Sequence, residues 1–185
     1  SHAKRDEISE AEKLYQDVLL AFPQNMRAQH GLAALNKPNP NNVNQSPVKE
    51  TIDQLISLYN QGQFLAVVDQ AKTLTEQYPE AFIIWNILGV AYISLEHFER
   101  AAEAFKKAIE LNPKYTDAFY NMGNALKGQG KLDDAIEAYK KCVSLKPDYA
   151  VAYFNLGKAF QEQDNLDEAI EAYNHFISLK PNYAQ

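Results

Sequence analysis

Four prolines stand 34 residues apart: Pro79, Pro113, Pro147 and Pro181. Other series keep the same step in the same register: Leu111, Leu145 and Leu179; Tyr115, Tyr149 and Tyr183; Gly89, Gly123 and Gly157; Ala101, Ala135 and Ala169. Independent series that share one register mark an internal repeat, and a period of this length is one supersecondary unit stacked on copies of itself. A lone unit cannot bury both of its faces, so each copy must pack on the next.

Inside one period the apolar spacing is helical. Trp85, Leu88 and Tyr92 fall at i, i+3 and i+7, and Ala101, Phe105 and Ala108 repeat the pattern further on. Gly130 and Asp164 mark a turn between the two segments. The spacing predicts a first helix (A) over 82–95, 116–129 and 150–163, and a second (B) over 98–111, 132–145 and 166–179. The proline two residues beyond each B helix prevents its continuation. Gly89, Gly123 and Gly157 on A, with Ala101, Ala135 and Ala169 on B, let the helices approach closely. The rings of Trp85, Phe105, Phe119, Tyr139, Tyr153 and Tyr173 fill the space beside them.

These residues resemble the tetratricopeptide repeat family. Its pattern, W-x2-L-G-x2-Y, then A-x3-F, then P, is met in full by Trp85, Leu88, Gly89, Tyr92, Ala101, Phe105 and Pro113. The copy at 116–149 has Phe119, Met122, Gly123, Leu126, Ala135, Tyr139 and Pro147; the copy at 150–183 has Tyr153, Leu156, Gly157, Phe160, Ala169, Tyr173 and Pro181. The resemblance implies an all-α, right-handed superhelix of antiparallel helix pairs. Residues 48–81 read as a degenerate first copy: Gly62 and Pro79 keep the register, but Leu55 stands where Gly belongs and Val67 where Ala belongs. Residues 37–47, rich in proline and asparagine, read as a linker without regular structure. Upstream, residues 4–36 read as a partial pair in the order B then A, from the spacing of Ile8, Ala11, Tyr15, Val18 and Pro23 and the stretch Met26 to Leu35.

Composition narrows the function. The chain of 185 residues is 46% apolar, with a net charge of −6 and a pI near 5.2, which speaks against nucleic acid as partner. No apolar run is long enough to span a membrane. One cysteine, Cys142, leaves no internal disulfide and points to a reducing, cytoplasmic setting. Phosphate-loop, zinc-protease, C-x-x-C and nucleophile-elbow motifs are missing, so neither catalysis nor a metal or other cofactor is expected. His97 and His175 read as surface residues and Cys142 as a small core residue. The pairs Asp133–Asp134 and Asp167–Glu168 stand at helix starts, where capping and the helix dipole explain them.

A protein or peptide ligand is therefore the expected partner. The resemblance places positions 2, 5, 6, 9, 12 and 13 of each copy on the concave groove. The candidate contacts are Asn86, Tyr120, Asn121, Asn124, Phe154, Asn155 and Lys158. Asn121 and Asn155 match the asparagine ladder of O-linked N-acetylglucosamine transferase-like superhelices, whose amides grip a peptide backbone; Ile87 breaks the ladder in the copy at 82–115. Replacing both asparagines is expected to weaken binding and leave stability nearly unchanged. The clamp for chaperone tails needs Lys at position 5 of its first copy, where Ile52, Asn86, Tyr120 and Phe154 stand here. A C-terminal carboxylate is therefore not the expected ligand. The chain stops just as a further A helix would begin, as expected of a fragment, and in this family such arrays often precede glycosyltransferase or sulfotransferase domains. The alternative is a self-assembling module, a homodimer or stacked oligomer. There Ile170, Phe176 and Ile177 on the last helix would meet Met26, Leu32 and Leu35 of the N-terminal pair.

Overall fold

The computed structural model describes residues 46–181. The N-terminal pair, with Met26, Leu32 and Leu35, lies outside the described residues, as do residues 182–185. The contact pattern divides the chain at Lys49/Glu50, and from Glu50 onward the array described here belongs to the second of the two units.

The array runs as eight α-helices: α1 (Ser46–Asn60), α2 (Phe64–Gln77), α3 (Phe82–Ser94), α4 (Phe98–Leu111), α5 (Thr116–Gly128), α6 (Leu132–Leu145), α7 (Ala150–Glu162) and α8 (Leu166–Leu179). No strand occurs among the described residues. In the last three copies A packs on B, and each B packs on the A helix of the next copy. The helix limits in the last three copies match the sequence reading to within one residue. One boundary moves: α1 begins at Ser46, two residues inside the stretch read as linker. Pro47 is no obstacle there, because the first turn of a helix has no use for its missing N–H.

Each A-to-B turn is built on one left-handed residue. Gly62, Glu96, Gly130 and Asp164 have φ of 74°, 58°, 76° and 62°, and they too are one period apart. Glycine takes this conformation freely, whereas Glu96 and Asp164 adopt it against the clash of their Cβ with the following carbonyl. The acidic first turns of α6 and α8 do not work as capping was expected to. No side-chain cap hydrogen bond forms at either helix. These carboxylates favour the helix starts only through the dipole, and Asp133 accepts a hydrogen bond from Gln163 of the next copy at 2.6 Å.

The core repeats one contact. A Cβ added to Gly89 would lie 2.5 Å from the Phe105 ring and one on Gly157 would lie 2.7 Å from the Tyr173 ring; at Gly123 the Tyr139 ring is closer still. Phe105 and Tyr139 are wholly buried, with Ala101, Ala108, Ala135 and Cys142 beside them. Burying each such ring contributes roughly 1.5–3 kcal/mol. Cys142 fills a core position, and burial pushes its thiol up to about 12, so it holds no thiolate for nucleophilic chemistry.

The first copy inverts this contact. By the period, Leu55 holds the glycine position and Ala71 holds the ring position, and both are fully buried. Large and small have changed helices, the kind of volume-conserving exchange that close-packed interiors tolerate best. The outer face of this copy differs as well. Glu50, Gln54 and Ser57 are exposed at the positions of the buried Ala152, Leu156 and Ala159, so α1 turns a polar surface away from α2.

Two outcomes test this packing. Gly89→Leu and Phe105→Ala should each destabilise the array, the latter by about 3–5 kcal/mol. Combined, they reproduce the inverted contact and should recover at least about 1 kcal/mol relative to their sum in urea unfolding; strict additivity would refute the inversion. Glu96→Gly should raise stability by up to about 1 kcal/mol, read from the urea midpoint.

Candidate functional site

The A helices share one face, and their contacts fix its register. Tyr59 and Ser94 are joined hydroxyl to hydroxyl at 2.9 Å. The Asn121 amide donates to Asn86 Oδ1 at 3.0 Å, and the Asn155 amide donates to the Tyr120 hydroxyl at 3.2 Å. The Lys127 ammonium meets the Glu162 carboxylate at 2.8 Å. All four pairs are 35 residues apart, one more than the period. That extra residue is the stagger between neighbouring A helices, so a side chain at position 6 or 13 leans on position 5 or 12 of the copy before it.

This geometry sorts the candidate contacts. Asn86 is buried, 8% exposed, and serves the groove from beneath as the acceptor for Asn121. Tyr120, Asn121, Asn124 and Asn155 are half-buried and Lys158 is exposed, as is Phe154 at 41%. Asn124 Oδ1 accepts from the Tyr139 hydroxyl at 2.8 Å and from the Asn155 amide at 3.0 Å. The structure thus joins Asn86 to Asn121, and Tyr120, Asn124 and Asn155 to one another, across three copies. Gly128 is exposed, and a Cβ added there would meet the Phe98 ring, a contact between successive copies.

The polar groups left over have a pattern. Asn121 keeps Oδ1 and one N–H, Asn124 keeps both N–H groups, and Asn155 keeps Oδ1. Among the described residues these groups have no further partner. Nearby, the Tyr149 hydroxyl donates to Asp117 at 2.7 Å. Burial first, and that bond second, hold the phenol above its ordinary range. The Tyr120 ring packs between Tyr139 at 6.2 Å and Tyr149 at 5.4 Å. The site offers hydrogen bonds and apolar surface. His97 and His175 are both exposed and apart from it.

At the far end Ile170 is 58% and Ile177 43% exposed. Ile136, at the place of Ile170 in the preceding copy, is 4% exposed because α7 covers it. Phe176, expected on the same exposed face, is half-buried: its ring lies 5.3 Å from that of Phe154.

Comparison with known proteins agrees with this architecture. Family models described as TPR repeat match residues 89–130 and 123–164, and one described as tetratricopeptide repeat matches 150–183. A peroxisomal targeting signal receptor of Candida albicans is 31% identical over 68 residues, which is 37% of this chain and 12% of the receptor. Among solved structures, MamA from Desulfovibrio magneticus RS-1 superposes with a TM-score of 0.67 at 20% identity, covering 96% of this chain and 97% of that one. YrrB, described as a TPR protein with an unusual peptide-binding site, gives 0.61 at 19% identity over 98% of this chain and 82% of its own. The first TPR of Spaghetti (RPAP3), bound to the HSP90 peptide SRMEEVD, gives 0.60 at 24% identity over 62% of this chain and 90% of its own. With the matched segments running without a gap from Gly89 to Tyr183, the chain belongs to the tetratricopeptide repeat family.

Proposed function

We propose that the array is a protein-interaction scaffold that holds an extended segment of its partner along the A-helix face. The observation that carries this reading is the set of unpartnered amide groups on Asn121, Asn124 and Asn155. Acceptors and donors alternate along the face, and a peptide unit presents one of each whatever its side chain. Asn121 and Asn155 are braced by bonds to the preceding copy, and Asn124 by Tyr139 and Asn155, so little side-chain freedom is lost when a ligand arrives. YrrB and the RPAP3 domain, which share the fold and are described with peptide sites or peptides, support the reading by analogy of architecture.

The bracing changes what a substitution does. Asn121→Ala with Asn155→Ala removes ligand contacts, and it also strips Asn86 Oδ1 of its donor. Stability is therefore not left unchanged. Affinity for an extended peptide should fall by about tenfold or more, and unfolding free energy by about 1–3 kcal/mol. Calorimetric titration and urea unfolding of the double variant check the two halves separately. Undiminished affinity for a peptide that binds the wild type would remove the amide reading.

A second reading, self-association, is favoured by the contrast between Ile136 and Ile170. Stacking of α8 on the α1 of another copy is opposed by the polar Glu50, Gln54 and Ser57 that α1 would bring to it. Association would accordingly join two α8 faces. Sedimentation of the wild type and of Ile170→Lys should then show a dimer that the substitution abolishes. Equal monomeric masses for both across a wide concentration range would discard it.

A further inference from the structure

The amide stripe gives way to hydrocarbon at α3. Position 6, occupied by Asn121 and Asn155 on α5 and α7, is Ile87 on α3. The Tyr59–Ser94 bond sets α1 against α3 with the same stagger that Lys127–Glu162 sets between α5 and α7. Ile87 therefore faces Ile56 as Asn155 faces Asn124. Ile56 is 44% exposed, and Ile87 and Val90 beside it are half-buried. The result is an aliphatic patch open on the ligand face, where its neighbours are amides.

At the other end stands a lone cation. Lys158 is exposed, and its ammonium lies 5.9 Å from the centre of the Phe154 ring. No carboxylate pairs with it among the described residues. The other charges on α5 and α7 are satisfied: Lys127 by Glu162 and Asp117 by the Tyr149 hydroxyl.

We propose that the bound segment is read at two points: an aliphatic side chain in the Ile56–Ile87–Val90 patch, and an acidic side chain against Lys158. This rests on the groove reading above and adds the identity of its ligand. Packed helices lie about 8–10 Å apart, so the two steps from α3 to α7 cover about 16–20 Å. At about 3.3 Å per residue, the two anchors stand about five or six residues apart in an extended chain. The amides of Asn121, Asn124 and Asn155 hold the backbone between them. The aliphatic anchor provides most of the affinity, because the exposed ion pair is weak and screened by salt. The charge selects the partner and its direction.

Selection of a random dodecapeptide library on the full chain tests this, with Ile87→Asn and Lys158→Glu selected in parallel. Wild type should enrich peptides carrying an aliphatic and an acidic residue at the stated spacing, with binding that weakens as salt is added. Ile87→Asn, which extends the amide stripe, should lose the aliphatic preference, keep the acidic one, and bind the best wild-type peptide about tenfold or more weakly. Lys158→Glu should exchange the acidic preference for a basic one. Circular dichroism monitors folding, and Ile56→Ser, at a more exposed position, carries the aliphatic arm should Ile87→Asn unfold. Enriched peptides that lack both preferences, or that keep them unchanged in the variants, would overturn the two-point reading while leaving the groove intact. Absence of any enriched peptide would overturn both.

Discussion

The array depends on an aromatic ring laid directly on a glycine of the paired helix. Phe105 on Gly89, Tyr139 on Gly123 and Tyr173 on Gly157 leave no room for even a methyl group. Because the ring of one helix fits only where the other has no side chain, the contact fixes both the separation and the rotation of each pair. Alanines at 0% exposure, such as Ala118, Ala125, Ala152 and Ala159, extend the same close approach to the next copy. Leu55 and Ala71, both fully buried, hold the same two positions with large and small exchanged.

Fixed pairs leave one freedom, the stagger of successive copies, and the shared face of the A helices sets it. Four pairs at a separation of 35 residues tie each A helix to the one before it. The groups that hold the face together are therefore also the groups that the proposed ligand contacts would use. An asparagine suits both tasks, since it can give one hydrogen to its neighbour and still present an oxygen or a second hydrogen outward. A face braced in this way is preorganised before any ligand arrives, and the same bracing ties affinity to stability. Where isoleucine replaces asparagine, at Ile87, the brace passes to Tyr59 and Ser94 and the surface becomes apolar.

The ends differ from the middle for the same reason. All the exposed large hydrophobic side chains among the described residues lie on the first and last copies: Ile56 and Leu65 on one, Val151, Phe154, Leu166, Ile170 and Ile177 on the other. In the two middle copies the equivalent positions carry either a covered aliphatic side chain, as at Ile136, or a polar one, as at Glu99, Asn124 and Asp133. The first copy offsets its position with Glu50, Gln54 and Ser57 on the outer face of α1, whereas α8 carries isoleucines where α6 has a covered one. The array is thus polar in both senses, chemically and in direction.

Periodicity alone determined the helices, their pairing and the small-against-large core, because a 34-residue step with helical spacing admits one way to bury its apolar stripe. It also located Cys142 in the core, while the family resemblance placed the asparagines on the shared face. Other features needed the folded chain. The stagger of one residue between copies is invisible to a period, and it decided that Asn86 lies beneath Asn121, that Tyr120 and Asn124 meet Asn155, and that Gly128 adjoins the Phe98 ring. The left-handed turn at Glu96 carried no glycine to announce it. Phe176 was read as exposed with Ile170 and Ile177, although the period sets it against the buried Ala108 and Cys142. Only the tertiary structure shows that its larger ring reaches Phe154. A repeat specifies what is equivalent between copies; side-chain contacts at the seams depend on what differs, and differences are resolved only when the copies are stacked.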